Sequence, residues 1–205
     1  MPGDSSHVDA GPTRRPHTGR RRNEAARRAI LAAALRAAAR SDAVPTVDAI
    51  AAEAGVGKQT IYRWWSGKHA VLLEALADSA AVQVPAPDTG TLLGDLTAFL
   101  TATFRGAGRP PVSTALRALA VAAQRTPDTA TALRGFVEAR REALRALLVR
   151  GVERAELPAA TNLDVLVDQA YGLLWYRLLL GHAPLTDEAA ASLAASLAGR
   201  PASGE

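Results

Sequence analysis

Apolar residues recur every three or four positions along most of the chain, which is the spacing of one buried face of an α-helix. No segment stands out with the apolar–polar alternation of a strand, and the apolar residues are mostly Ala and Leu, which favour helices. We therefore predict an all-α fold. Its nine helices are expected at about residues 22–40, 46–54, 57–64, 67–83, 92–104, 111–124, 127–156, 162–180 and 187–197.

Several of the predicted helices carry a start or stop signal. Thr46 is a favourable N-cap residue, and Asp48 places a negative charge in the turn that follows it. Gly55 stands where a helix end needs a residue in the left-handed conformation. The run Thr126-Pro127-Asp128 supplies an N-cap, a proline at the first helical position and an acid in the first turn.

Two polar, proline-containing segments divide the chain. Residues 1–19 have almost no apolar side chains, and residues 84–90 (Val-Pro-Ala-Pro-Asp-Thr-Gly) have the composition of a linker. We predict a disordered basic arm at 1–19, a first helical domain at 20–83, a second helical domain at 84–199 and a disordered tail at 200–205.

The composition excludes several classes of protein. The chain of 205 residues is long enough to bury a core, and it has no Cys, which excludes disulfide frameworks and thiolate metal sites. Its longest apolar candidate, Tyr171–Leu180, is interrupted by Arg177 and is shorter than the ~18 residues of a membrane helix. Since no apolar signal segment opens the chain, we expect a cytoplasmic protein.

Positive charge is concentrated at the N-terminal end. Residues 1–68 hold twelve Arg and Lys against six Asp and Glu, a net charge of +6, whereas the remaining residues have a net charge of −2. A basic end on a weakly acidic body indicates a polyanionic partner for that end. A solvated basic tail with no partner is the alternative interpretation.

Residues 46–68 contain two short predicted helices joined by a tight turn, the arrangement of a helix-turn-helix. Ala51 is small where the second helix crosses the first, Gly55 makes the turn, and Ile61 fills the space between the helices. Such a unit lays its second helix in the major groove of DNA. The outward face of that helix carries groups that bond base edges and phosphates: Lys58, Gln59, Thr60, Tyr62 and Arg63.

The run Gly55-Val-Gly-Lys-Gln-Thr allows two other interpretations. It resembles the end of a phosphate-binding P-loop, but that loop needs a Gly where this chain has Ala52, a Ser or Thr where it has Gln59, and a preceding strand. A purely structural helical hairpin is also possible, but it gives no reason for Tyr62, Arg63 and Trp64, which are expected to be exposed. DNA binding accounts for more of these residues than either alternative.

Residues 46–76 resemble the DNA-binding domain of TetR-family transcriptional regulators. The resemblance rests on Thr-Val-Asp-Ala-Ile-Ala-Ala-Glu-Ala-Gly-Val, on Lys-Gln-Thr-Ile-Tyr-Arg-Trp-Trp and on Ser-Gly-Lys-His-Ala-Val-Leu-Leu-Glu-Ala-Leu. Trp64-Trp65 stands where the family more often has Tyr-Phe, and Gly57 where it often has Ser. Members of that family are homodimeric proteins of nine or ten helices.

The resemblance implies a role for each matched residue. Thr46, Trp64 and Lys68 match positions that contact phosphates, while Trp65 matches a buried core aromatic. The base-reading and groove-facing positions fall on Lys58, Gln59, Thr60, Tyr62 and Arg63. The implied partners are double-stranded DNA with a palindromic operator, a small-molecule effector and a second copy of the chain.

The second domain resembles the family's effector domains in outline only. Its last two helices are expected to form the homodimer interface through apolar residues, although some of these can equally belong to the core: Leu163, Val167, Ala170, Leu174, Leu178, Ala189, Leu193 and Leu197. Aromatic residues of this domain are candidates to line a ligand pocket, with core packing as the alternative: Phe104, Phe136, Tyr171 and Trp175.

Other chemistry has little support in the sequence. No His, Asp and Glu cluster has metal-ligand spacing, and no Ser or carboxylate pair has a catalytic setting, so we expect no metal, no cofactor and no enzymatic activity. We predict a DNA-binding transcriptional regulator, a repressor that a small effector releases from its operator. The alternative is a helical ligand-binding protein whose helix-turn-helix is vestigial.

Overall fold

A computed structural model describes residues 18–40, 43–83 and 86–199 of the chain. Within these residues the chain forms nine α-helices and no strand, as the sequence pattern predicts. The helices are α1 (Thr18–Ala38), α2 (Val47–Ala54), α3 (Lys58–Tyr62), α4 (Lys68–Gln83), α5 (Leu92–Gly108), α6 (Val112–Ala123), α7 (Pro127–Glu153), α8 (Leu163–Leu180) and α9 (Asp187–Leu197).

Most helix boundaries agree with the predicted ones, and four helices differ: α1, α3, α5 and α7, the last of which ends at Glu153 rather than at residue 156. Helix α1 begins at Thr18, so the last two residues of the predicted disordered arm are helical. Helix α3 is shorter than expected, at five residues, and α5 continues four residues past Phe104 to Gly108. The rest of the predicted arm and the predicted tail lie outside the described residues.

Helices α1 to α4 form a small N-terminal head. The predicted apolar face of α1 is buried in it through Ile30, Ala33 and Ala37. Helix α1 packs against α2 and α4, and Ile50 and Ile61 are fully buried between them. The head therefore has its own hydrophobic centre, which holds the short helices α2 and α3 in a fixed orientation.

Glu74 of α4 is the polar centre of the head. Its Oε2 accepts a 2.6 Å hydrogen bond from the indole N–H of Trp65, and its Oε1 pairs with Arg27 of α1. Trp65 is buried, as predicted for a core aromatic. These bonds fasten the segment after α3 to both α1 and α4, and thereby orient the end of α3.

Helices α5 to α9 form the C-terminal body. Asp95 of α5 is completely buried, where it accepts hydrogen bonds from Thr89 N–H at 2.7 Å and from Arg154 at 3.0 Å and pairs with Arg150. Burial by itself raises the pKa of Asp95, but these bonds favour the carboxylate and hold its pKa below the usual value. The cluster locks α5 to the end of α7.

Helix α4 belongs to both parts of the molecule. It packs against α1 in the head and against α5, α6 and α7 in the body. Its first residue, Lys68, follows the end of α3 by six residues, and Leu76 is buried about two helical turns further on. None of the helices in the described part of the chain is long and apolar enough to cross a membrane.

The apolar residues expected at a dimer interface are mostly inside the monomer. Val167, Ala170, Leu174, Leu178 and Leu197 are buried in the core of a single chain, and this part of the predicted residue set is wrong. Periodicity shows that a helix has an apolar face, but not which neighbour covers it. The exposed apolar residues of α8 are others, namely Val165, Gly172, Tyr176, Leu179 and Leu180, and Asp164, Asp168 and Gln169 are exposed on the same helix.

Candidate nucleic-acid interface and internal cavity

The turn between α2 and α3 has the geometry that its sequence predicts. Gly55 adopts φ 66° and ψ 33°, and its N–H donates to the carbonyls of Ala51 and Ala52. The N–H of Val56 donates to the carbonyl of Ala51 at 3.0 Å. A side chain is strained in this left-handed conformation, so glycine permits the tight turn that brings α3 across Ala51.

Helix α3 presents a polar outer face. Lys58, Gln59 and Tyr62 are exposed, Arg63 directly after the helix is exposed, and Thr60 is half-buried. Tyr62 keeps 51% of its surface exposed although it is a large aromatic residue. Ile61, on the opposite side, is fully buried and anchors the helix. The structure thus brings all five predicted groove-facing residues to one short helix and its end.

Lys58 has a partner that the sequence did not reveal. Its ammonium pairs with the carboxylate of Asp48, which lies in the first turn of α2. Both side chains are more than half exposed, so the pair is accessible to water and to a competing anion. An exposed pair of this kind contributes little to stability, and a phosphate group can replace the carboxylate.

Three further residues suit contacts with a DNA backbone. Thr46 is the N-cap of α2: its Oγ1 accepts from Ala49 N–H at 3.1 Å, and its hydroxyl hydrogen is left to donate. Trp64 is half-buried against the core and packs edge-on to Trp65 at 5.4 Å. Lys68 opens α4 and has no ion pair with any described residue.

A partly open cavity of about 70 Å³ lies between α4 and the helices of the body. Three of the four predicted ligand-pocket residues line it: Phe136, Tyr171 and Trp175. Phe104 does not line this cavity, because it is fully buried in the core. Its ring sits on the side of α5 that packs inside the body, a direction that aromatic content alone does not reveal.

Helix α4 supplies part of the cavity wall. Leu76, Ser79 and Ala80 of α4 face residues of α5, α6, α7 and α8 across the cavity. The remaining lining is mostly apolar: Gly106, Ala107, Val112, Leu116, Val137 and Leu174. The cavity is therefore bounded by the same helix that begins at Lys68 in the head.

Three polar residues of the cavity wall were not predicted from the sequence: Ser79 of α4, Thr103 of α5 and Arg140 of α7. Thr103 and Arg140 stand among apolar neighbours there. Polar side chains recur all along these helices, so no local pattern separates those of the cavity from those at the surface. Tyr171 adds a further polar group, whose hydroxyl donates to the carbonyl of Arg140 at 2.7 Å.

Family models match nearly all of the described chain. Residues 30–86 match the model for bacterial regulatory proteins of the tetR family, and residues 86–197 match a tetracyclin repressor-like C-terminal domain. The border between the two matches falls in the proline-containing segment that the sequence analysis treats as a linker.

Individual proteins give the same result. The chain is 37% identical to the HTH-type transcriptional regulator YdeS of Bacillus subtilis, over 79% of this chain and 82% of that one. It is 31% identical to the HTH-type regulator Rv1556 of Mycobacterium tuberculosis, over 72% and 73%. The crystal structure of the TetR family regulator SCO0332 superposes with a TM-score of 0.74 at 30% identity, covering 86% of this chain and 97% of that one.

Proposed function

The chain belongs to the TetR family of transcriptional regulators, and we propose that it represses transcription as a homodimer on a palindromic operator until a small effector releases it. DNA-binding regulation is the role of this family. Our proposal goes beyond that role in four respects: repression, a palindromic operator, the dimer interface and release by an effector. A vestigial head is a poor alternative, because the groove-facing side chains of α3 are present and exposed.

In this proposal α3 enters the major groove, with Gln59 and Arg63 reading base edges. Amide and guanidinium groups make paired hydrogen bonds to adenine and guanine respectively. Lys58, Thr60 and Tyr62 complete the groove-facing set, while Thr46, Trp64 and Lys68 bond phosphates on either side. Phosphate contacts fix the register of the helix, and base contacts supply the sequence preference.

The observation that carries effector control is the double role of α4. The helix begins at Lys68, six residues after the end of α3, and its residues Leu76 and Ala80 form a wall of the cavity. A cavity of about 70 Å³ is smaller than the ~300 Å³ or more of typical ligand sites. We infer that a larger bound effector pushes the α4 wall outward, and a displaced α4 moves the head that is attached to it.

In a dimer, a movement of the heads changes the affinity for DNA. Two heads on a two-fold axis must fit successive major grooves about 34 Å apart, so a small change of head spacing weakens binding steeply. We place the interface on the exposed apolar face of α8, with α9 beside it. Tyr176 is 55% exposed and Leu180 is 65% exposed, and both lie on that face. The exposed residues Ala191 and Ser192 of α9 are small enough to permit close helix approach.

The test is binding of the full-length protein to tiled DNA fragments that flank its own gene. We expect one fragment to be protected over two half-sites by two chains, and a reporter driven from it to be silenced by the protein. A specific site should bind at least about 10³-fold more tightly than random DNA. Equal affinity for all fragments, or one chain per site, would contradict the proposal.

A further inference from the structure

The cavity holds polar atoms that have no hydrogen-bond partner among the described residues. Among the described residues, five buried side-chain nitrogen or oxygen atoms lack a hydrogen bond, and two of these belong to residues of the cavity wall: Nη2 of Arg140 and Oγ1 of Thr103. Thr103 is only 8% exposed. Buried polar groups are normally hydrogen-bonded, because an unpaired one retains the full cost of its lost hydration.

Arg140 is also without a compensating charge. The arginines that follow it along the chain pair with carboxylates: Arg141 and Arg145 with Asp168 and Asp164, Arg150 and Arg154 with Asp95. Arg140 makes no such pair within the described part of the chain, and its guanidinium lies 5.4 Å from the ring centre of Phe99 instead. A guanidinium stays protonated, so an uncompensated positive charge faces an apolar cavity.

The other groups around Arg140 do not remove this charge. Burial raises the pKa of Tyr171 to about 12, so its phenol is neutral, and its hydroxyl hydrogen already bonds the carbonyl of Arg140. The remaining cavity walls are apolar apart from Ser79 and Thr103. The site thus offers the positively charged guanidinium of Arg140, the free hydroxyl of Thr103 and mostly apolar walls.

We propose that the cavity binds a small apolar monocarboxylate, whose carboxylate pairs with the guanidinium of Arg140 and accepts a hydrogen bond from the hydroxyl of Thr103. This inference rests on the proposed effector control and names the chemical class of the effector. A carboxylate matches the planar fork of a guanidinium and satisfies both orphaned groups at once. The apolar body of the ligand lies against Phe136, Leu174 and Trp175.

The size of the cavity favours a compact ligand. About 70 Å³ accommodates a carboxylate with a short apolar group, and a longer ligand has to push outward against Leu76 and Ala80 of α4. The carboxylate therefore provides the anchor, and the length of the apolar body determines how far α4 is displaced. Acids that differ only in that body should differ in their effect on the head.

The test is calorimetric titration of the full-length dimer with butyrate, hexanoate, octanoate and benzoate, each paired with its neutral amide. At least one acid should bind saturably, and its amide should bind at least about tenfold more weakly. R140M, which keeps the aliphatic length, should weaken the acid about 10- to 100-fold, and T103V should weaken it about 3- to 10-fold. Neither variant should change binding of the amide by as much.

Matched controls separate recognition from loss of structure. R134M removes an exposed guanidinium from the same helix, and T101V removes a hydroxyl from α5 that does not line the cavity. Both should bind the acid with unchanged affinity. Circular dichroism should show the same helicity for all four variants, and if R140M does not fold, T103V with the acid–amide comparison decides the question.

The outcomes distinguish this inference from the proposed function. Saturable binding by none of the acids, or equal binding of acid and amide, overturns the carboxylate assignment whatever the protein does on DNA. An unchanged acid affinity in folded R140M overturns it as well. If the acid binds through Arg140 but leaves operator affinity unchanged, the assignment stands and release by an effector fails.

Discussion

Lys58 and Asp48 form an ion pair that joins the first residue of α3 to the first turn of α2. The pair lies on the outer face of the head, where both residues would meet DNA. Lys58 is therefore not a free cation in the unbound protein. Entry of α3 into a groove has to exchange the carboxylate of Asp48 for a phosphate or a base edge.

This pair leads to the prediction that D48N binds DNA more tightly than the unaltered protein. The substitution frees Lys58 and removes a negative charge that faces the phosphates, so affinity should rise roughly two- to fivefold on operator and random DNA alike. The log–log salt slope should steepen by up to about 1 per head. Fluorescence anisotropy over a salt series measures both quantities.

D78N is the matched control for that measurement. Asp78 is an exposed carboxylate of α4 without an ion pair among the described residues, and its removal changes net charge by the same amount. It should alter DNA affinity less than D48N does. Equal or weaker binding by D48N would show that Lys58 is not held back by Asp48.

Base reading by α3 is a second prediction. Gln59 and Arg63 are exposed and make no bond to other described side chains, so they are free to reach base edges. Q59A and R63A should each weaken the operator by about 1–3 kcal/mol and relax the preference for particular bases. A loss that is equal on operator and random DNA would instead assign the residue to a phosphate.

Lys68 is predicted to contact a phosphate rather than a base. It opens α4 without an ion pair in the described structure, and a cation there neutralises a phosphate without reading a base. K68A should therefore weaken all DNA sequences alike and lower the log–log salt slope by about 1 per contact. An unchanged salt slope in K68A would show that Lys68 does not neutralise a phosphate.

Y176E tests the proposed dimer interface. Tyr176 lies on the exposed apolar face of α8, so a carboxylate there would be buried without a partner in a dimer, yet solvated in a monomer. The variant should sediment as a monomer, keep its helicity and lose operator binding. V149E is the control, since Val149 of α7 is 38% exposed and belongs to neither α8 nor α9. A dimeric Y176E would place the interface elsewhere.

The fold was predictable where local chemistry decides it. Gly55 acts through its own backbone, Thr46 through a hydroxyl that bonds the amide three residues on, and Pro127 through its fixed φ, so the helix boundaries beside them were correct. Leu174 and Leu178 were misassigned because an apolar face gives no information about which helix covers it. That choice depends on tertiary packing, and substitution of Leu174 would disturb the core and the cavity rather than a dimer interface.

The candidate sites, too, were predictable only where neighbouring residues in the sequence determine them. The groove-facing residues were recognisable because they lie within one continuous stretch of sequence around α3. Asp48, Arg140 and Thr103 were missed because their importance comes from partners, or missing partners, that only the packed structure brings near. Trp175 and Phe136 reached the cavity as predicted, while Phe104, chosen by the same criterion, is in the core.

The most direct test of effector control is the operator dissociation constant of A80F compared with that of A77F. Ala80 lines the cavity, and a phenyl group there should displace α4 as a bound effector would, whereas Ala77 is exposed on the same helix. A80F should bind the operator about 5- to 150-fold more weakly, with A77F unchanged. The smaller A80L serves if A80F does not fold. A folded, dimeric A80F that binds the operator with unaltered affinity would contradict the coupling of cavity and head through α4.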